Sequence, residues 1–288
     1  MKRRKSTDRI LVLGASGFIG NTLYKELRPY FDVYGTYNSQ HLTYEDNQVF
    51  FQYAVENDDI ELLLDKLRPT VVISAFKGDY DAQLNAHKAL RSYIAEVRSR
   101  KLLFISSSNV FEGRWQFPAY EYDIPMAESQ QGKSKLAIEK ELQQLPEDQL
   151  SILRLPIVLG VNAPVLVQLK QAAKHQALFE VFPNRIISVT TQTKLAQQVH
   201  YIINQKLSGI FHLASIDVVH HIDLFVDITE KLEMEIPIFK KVYESNEERY
   251  LALLAKDNLL PKTYTITVAE VIEECTLKEE ISTLKKIS

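Results

Sequence analysis

The stretch Ile10-Leu11-Val12-Leu13-Gly14-Ala15-Ser16-Gly17-Phe18-Ile19-Gly20 decides the fold. An apolar run meets a glycine-rich turn, and a helical pattern follows with Phe18, Ile19, Leu23 and Leu27 on one face. This order of strand, tight turn and helix is the first unit of a dinucleotide-binding sheet. The glycines let the backbone turn sharply and approach a pyrophosphate. The helix N-terminus beyond them offers free N–H groups and a partial positive charge. The glycine spacing alone is weak evidence, because many tight turns carry glycines; the flanking strand and helix give it meaning.

Working outward, strand and helix patterns alternate through the first half of the chain. Apolar runs occur at Val33-Tyr34-Gly35-Thr36, Val49-Phe50-Phe51, Val71-Val72-Ile73-Ser74, Leu102-Leu103-Phe104-Ile105 and Ile152-Leu153-Arg154-Leu155. Between them, Ile60, Leu63, Leu64 and Leu67 share one helical face, as do Ala86, Ala89, Leu90, Tyr93 and Val97. Such alternation implies right-handed crossovers and an α/β fold with a doubly wound parallel sheet. After about residue 160 the pattern changes: Pro164 opens a helix reaching Lys174, Lys194 to Asn204 forms another, and Gly209-Ile210-Phe211-His212-Leu213 reads as a strand. Thr267-Val268-Ala269-Glu270 has the pattern of a capping box opening the last helix. The expected organisation is a Rossmann domain over 1–160 and a small interleaved C-terminal substrate lobe over 161–288, with segments near 186–215 returning to the main domain.

Composition sets the outer limits. The 288 residues are 45% hydrophobic and 25% charged, enough for a sizeable core in an ordinary soluble chain. A net charge of −3 argues against a nucleic-acid partner. The cluster Lys2-Arg3-Arg4-Lys5 reads as a solvated tail. No apolar segment is long enough to span a bilayer, and no signal peptide is evident. The single cysteine, Cys275, excludes an intrachain disulfide, fits a cytoplasmic location and suits a packing role. The seven histidines lack metal-type spacing, so no metal site is expected.

Further motifs complete a pattern: Val71 to Ala75, Asn85, Ser106-Ser107-Ser108-Asn109-Val110-Phe111-Glu112-Gly113, Gly132 to Lys140, Leu153-Arg154-Leu155-Pro156-Ile157-Val158-Leu159-Gly160 and Gly209 to Leu213. In this order the chain resembles the extended short-chain dehydrogenases/reductases. Within them it is most similar to the dTDP-4-dehydrorhamnose reductase group, which includes the methionine adenosyltransferase regulatory subunit. The resemblance implies a nicotinamide cofactor, a sugar or nucleotide-sugar substrate and keto-group reduction. It also implies a homodimer through helices near Asp81–Arg98 and Lys133–Gln143. Its catalytic set is Ser or Thr, Tyr and Lys, with Tyr as the acid and Lys one helical turn later on the same face. Ser107 and Lys135 fall at the hydroxyl and lysine positions, but the tyrosine position holds Gln131. A carboxamide donates a hydrogen bond but is no usable acid at neutral pH. The readings this leaves are a reductase with altered or lost catalysis, ordinary reductase activity with another donor, and, as the alternative, a non-catalytic nucleotide-binding regulatory or structural subunit.

The same resemblance places the cofactor on Gly14, Ser16, Gly17, Phe18 and Ile19, then on Thr36, Tyr37 and Asn38. It continues over Ala75, Phe76, Lys77 and Ser106, and packs the nicotinamide near Pro156, Ile157 and Val158. The end of the second strand, Thr36-Tyr37-Asn38-Ser39, lacks the carboxylate that would hold a ribose 2′-OH, which favours NADP over NAD. Tyr120 and Tyr122 stand as possible substitute acids, and Trp115, Phe117, Tyr120 and Tyr122 as a candidate stacking loop. Arg154, inside an apolar strand, calls for a buried carboxylate partner, and His212 reads as a core residue.

Overall fold

The computed structural model describes residues 8–39 and 47–277. The basic cluster at Lys2-Arg3-Arg4-Lys5 lies outside them. The centre is a seven-stranded, all-parallel sheet in the order β11-β6-β5-β4-β1-β2-β3. Its strands are β1 (Arg9–Leu13), β2 (Asp32–Tyr37), β3 (Phe50–Gln52), β4 (Val71–Ser74), β5 (Lys101–Ser107), β6 (Leu150–Leu155) and β11 (Gly209–His212). Five helices cover its faces: α1 (Phe18–Leu27), α2 (Ile60–Leu67), α3 (Tyr80–Ala95), α4 (Gln130–Leu142) and α6 (Gln192–Asn204). The order reverses between β1 and β4, the switch point where the C-terminal strand ends open a crevice for ligands.

The apolar runs become strands because both faces of a parallel sheet are covered, which favours continuous apolar stretches over alternation. Ile10, Leu11, Val12 and Leu13 are all fully buried, with Ile10 and Val12 in the core on one side and Leu11 and Leu13 on the other. On α3, Ala86, Leu90 and Tyr93 are buried against the sheet, while Asp81, Asn85, Lys88 and Ser92 face outward. Val97 lies past the end of α3 and is exposed, because the helix stops at Ala95.

Beyond β6 the chain leaves the sheet. β7 (Ile157–Leu159) pairs with β10 (Val189–Thr191). A separate apolar cluster gathers α5 (Pro164–His175), β8 (Leu178–Val181), β9 (Arg185–Ile187), α7 (His221–Lys231) and α8 (Val268–Cys275). Two short pairings, β12 (Val219–His220) with β9 and β13 (Ile238–Lys241) with β8, complete this lobe, and β14 (Arg249–Leu251) runs parallel to β9. The Thr267–Glu270 capping box is formed at the start of α8. Cys275 is buried there, and burial pushes its thiol up to about 11, away from nucleophilic use.

The glycine turn is set by contact. Gly14 takes φ +81°, and a Cβ there would meet the Ala75 carbonyl oxygen and Phe76 Cα at 2.8 Å. A Cβ on Gly20 would lie 2.1 Å from the Gly14 carbonyl oxygen, so α1 crosses β1 at a distance only glycine permits. Gly20→Ala is therefore expected to destabilise the fold by about 1–3 kcal/mol, the ordinary range for overpacking. Urea denaturation measures this, and an unchanged midpoint would contradict the contact.

Candidate functional site

At the switch point, the ends of β1, β4, β5 and β6 surround a cavity of about 430 Å³. The turn into α1 supplies Phe18 and Ile19, the segment after β4 supplies Ala75, Phe76 and Lys77, and β5 supplies Ser106 and Ser107. Gln131 and Lys135 reach it from α4, and Pro156 and Val158 close it after β6. Residues from five separate segments of the sequence thus meet in one place. Lys77 and Lys135 are the charged groups of this lining, which includes no carboxylate.

The glycine loop leads into Phe18 and Ile19 of this lining, while Ser16 and Gly17 line a neighbouring cavity with Phe18, Lys25 and Gln192. The Ser16 N–H donates to the Thr36 carbonyl oxygen (3.2 Å) and the Gly17 N–H to that of Gly14 (3.0 Å). Gly17 caps α1 with no side-chain hydrogen bond. A Cβ on Gly17 would meet only the Gly14 carbonyl oxygen, at 3.4 Å, so the protein itself leaves the space above this residue open. Thr36 is buried, and its Oγ1 accepts the Gly14 N–H at 2.8 Å, so it shapes the loop from within. Tyr37 is also buried; Asn38 and Ser39 are the exposed residues at this strand end.

Lys135 lies one helical turn after Gln131, and its Nζ donates to the Ile105 carbonyl oxygen at 3.0 Å. Burial and, after it, the Lys77 charge push its ammonium down to about 8, against the opposing pull of Glu139. Ser107 caps the short 3₁₀ turn Ser108–Phe111: its hydroxyl donates to Asn109 Oδ1 (2.8 Å) and accepts the Asn109 N–H (3.1 Å). Ser106 is turned into the core, where it donates to Glu139 at 2.5 Å. Arg154 finds its carboxylate in the same Glu139, through two hydrogen bonds of 3.2 and 2.8 Å, both side chains fully buried. His212 is a core residue: its Nδ1 donates to the Ala119 and Leu254 carbonyls (both 3.1 Å), and burial pushes it down to about 3.

α4 is held at this place by close approach. A Cβ on Gly132 would lie 2.4 Å from the Asn109 carbonyl oxygen. Ser129 caps the helix by accepting the Gly132 N–H, and Glu112 in turn accepts from the Ser129 N–H and hydroxyl (2.7 and 2.9 Å).

A second cavity, of about 400 Å³, opens on the other side of Ser107. Ser107, Asn109, Trp115, Pro156 and Ile157 line it, with Arg185 of β9 and Arg249 of β14 in the far wall. Of the aromatic loop only Trp115 lines it. Tyr120 and Tyr122 stack on each other at 5.7 Å under the Lys256 ammonium and border other cavities, so neither stands at the acid position. Sequence reasoning missed Tyr80, the phenol that does line the cavity beside Lys135. It also missed Arg185 and Arg249, whose short strands carry no periodic signal.

Fold and site together define a reductase-like dinucleotide-fold protein of the extended short-chain type. The chain belongs to the family described as RmlD substrate binding domain, whose model matches residues 8–256. Methionine adenosyltransferase 2 subunit beta of Danio rerio is 28% identical over 165 residues, 53% of this chain and 48% of that protein, so the chain spans about half the length of this curated relative. Among solved structures, a dTDP-4-dehydrorhamnose reductase from Bacillus anthracis in complex with NADP superposes with a TM-score of 0.74 at 18% identity, covering 94% of this chain and 98% of that one. A hypothetical dTDP-4-dehydrorhamnose reductase from Sulfolobus tokodaii gives 0.72 at 22%, covering 90% and 100%. The Bordetella bronchiseptica enzyme WbmH in complex with NAD+ gives 0.71 at 16%, covering 98% and 99%. At these identities the likeness is one of fold. Among the described residues no helix is long and apolar enough to cross a membrane.

The depressed Lys135 amine gives a direct expectation. Modification by an amine-selective reagent, followed by mass spectrometry across pH, should report an apparent pKa near 8 at this lysine. An ordinary value of 10.5 would contradict the burial argument.

Proposed function

We propose that the chain binds NADP(H) along the C-terminal edge of the sheet and is a keto-sugar-reductase-like protein whose catalysis is altered or lost at Gln131. The observation that carries this reading is the cavity that joins Phe18, Ile19, Lys77, Ser107, Gln131 and Lys135 with no carboxylate in its lining. Its two lysines suit an anionic dinucleotide. The open space above Gly17 and the uncapped start of α1 suit a pyrophosphate, with the Phe18 and Ile19 N–H groups as donors. Asn38 and Ser39, exposed and uncharged, tolerate a 2′-phosphate, which favours NADP over NAD.

The bound nicotinamide would supply a hydride; the rest is the work of this chain's side chains. Ser107 would orient the substrate oxygen, using the hydroxyl it now shares with Asn109. Lys135 would bind the ribose and keep positive charge near the developing alkoxide. Gln131 would donate a hydrogen bond to the same oxygen but no proton. The substrate would be a sugar or a nucleotide-linked sugar. A cytoplasmic location and a homodimer through α3 and α4 belong to the same proposal. The outward residues of α3 are polar, so such a dimer would rest on hydrogen bonds and ion pairs.

A second reading is a non-catalytic nucleotide-binding subunit. The amide at position 131 favours it, as does the likeness to a protein named as a subunit of methionine adenosyltransferase.

Gly17→Asp places a side chain and a negative charge in the open space, so it should weaken NADPH binding by more than about tenfold, or 1.4 kcal/mol. Fluorescence titration with NADPH and NADH tests this, and a wild-type chain that binds neither refutes the cofactor reading. Gln131→Tyr restores a Ser–Tyr–Lys set and should raise NADPH oxidation with a keto-sugar by about 10²–10⁴-fold, the usual worth of a general acid. Robust wild-type turnover would contradict the loss of the acid, and its disappearance in Tyr80→Phe would identify Tyr80 as the donor. No gain in Gln131→Tyr despite bound NADPH would favour the subunit reading.

A further inference from the structure

We propose that the cavity beyond Ser107 takes an uncharged pyranose and rejects a nucleoside diphosphate sugar; the inference rests on the reductase-like reading and narrows its substrate class. Arg185 and Arg249 are register partners on the parallel strands β9 and β14, and both line this cavity. Neighbouring like charges repel unless each is matched. Here the wall matches both. Glu244 holds Arg185 through both carboxylate oxygens, one of them 3.3 Å from Nε. Glu128 lies 3.6 Å from Arg249 Nη2, which also donates to the Glu112 carbonyl oxygen at 3.5 Å.

The lining carries three carboxylates, Glu112, Glu128 and Glu244, against the two guanidiniums. The contrast with the cofactor cavity is sharp, since that lining holds two lysines and no carboxylate. A diphosphate entering the second cavity would have to share the two guanidiniums with Glu128 and Glu244 and lie close to their carboxylates, and like charges brought together at a binding site are disfavoured.

An uncharged polyhydroxylated ring meets no such barrier. Each Arg–Glu pair offers planar donors and acceptors that neighbouring hydroxyls can use without breaking the pair. Trp115 and Tyr250 supply apolar faces with polar edges for the ring's C–H surface, and Arg249 already lies over the Trp115 ring at 5.5 Å. The volume of about 400 Å³ sits at the small end of the ordinary range for ligand cavities, about 300–1,000 Å³.

Trp115 is the single tryptophan of the chain, so its fluorescence reports this cavity directly. The full chain would be titrated with D-glucose and L-rhamnose, and separately with thymidine diphosphate and dTDP-glucose. The expected result is a saturable change with at least one free pyranose, and binding of both thymidine nucleotides at least about tenfold weaker. In Glu128→Gln/Glu244→Gln the order should reverse; Glu128→Gln alone, at an exposed position, should shift it the same way if the double variant does not fold. Tighter binding of either nucleotide by the wild-type chain overturns the proposal, and so does the absence of binding by both pyranoses. NADPH binding, read from its own fluorescence, separates the two readings: pyranose binding without NADPH binding refutes the cofactor reading alone. NADPH binding with preference for the diphosphate refutes this inference alone.

Discussion

The buried pair of Arg154 and Glu139 is the interaction on which the site depends. α4 carries Gln131 and Lys135 but has little apolar surface with which to seat itself; its buried residues are Gly132, Ile138, Glu139 and Leu142. Glu139 fixes the helix to β6 through two hydrogen bonds to Arg154, and to β5 through the Ser106 hydroxyl. Arg154 reaches further, to the Glu121 carbonyl oxygen at 3.4 Å and over the Phe111 ring at 4.9 Å. Burying two charges costs several kcal/mol per ion before their attraction offsets it. What the pair contributes is register: it sets which face of α4 meets the strand ends. With Gly132 against the Asn109 carbonyl, only one rotation of the helix places Lys135 beside Ile105.

That rotation gives Ser107 its position between two cavities of opposite character. On one side stands the lysine-bearing cavity at the switch point, on the other a chamber whose arginines are already neutralised by the wall. The division follows from the chain's layout. The Rossmann strands supply the first cavity from their C-terminal ends, while the second is closed by β9 and β14, short strands of the C-terminal lobe. The lobe is joined to the sheet at the site itself, where the Tyr250 N–H donates to the Trp115 carbonyl oxygen at 2.7 Å.

The first cavity was legible in the sequence because its residues sit in patterned segments. The run from Ile10 to Gly20 shows strand, turn and helix in order, and Gln131 and Lys135 are one helical turn apart, so their shared face can be counted. What sequence could not show was orientation. Thr36 and Ser106 were read as cofactor residues, yet their hydroxyls turn inward, to Gly14 and Glu139. Trp115, Tyr120 and Tyr122 look alike in one loop, and only the fold separates Trp115 at the chamber from the stacked tyrosines away from it. The Arg185–Arg249 wall was invisible because it depends on strand pairing between segments sixty-four residues apart.

On the proposed reading the protein holds a reduced dinucleotide but lacks the acid that would let it be spent. Native mass spectrometry of the full chain with NADPH and a keto-sugar tests this most directly, because it reads occupancy and redox state together. The expected spectrum shows one dinucleotide per chain, still reduced after incubation with the sugar. A spectrum of the bare chain, or rapid conversion of the bound NADPH to NADP⁺, would contradict it.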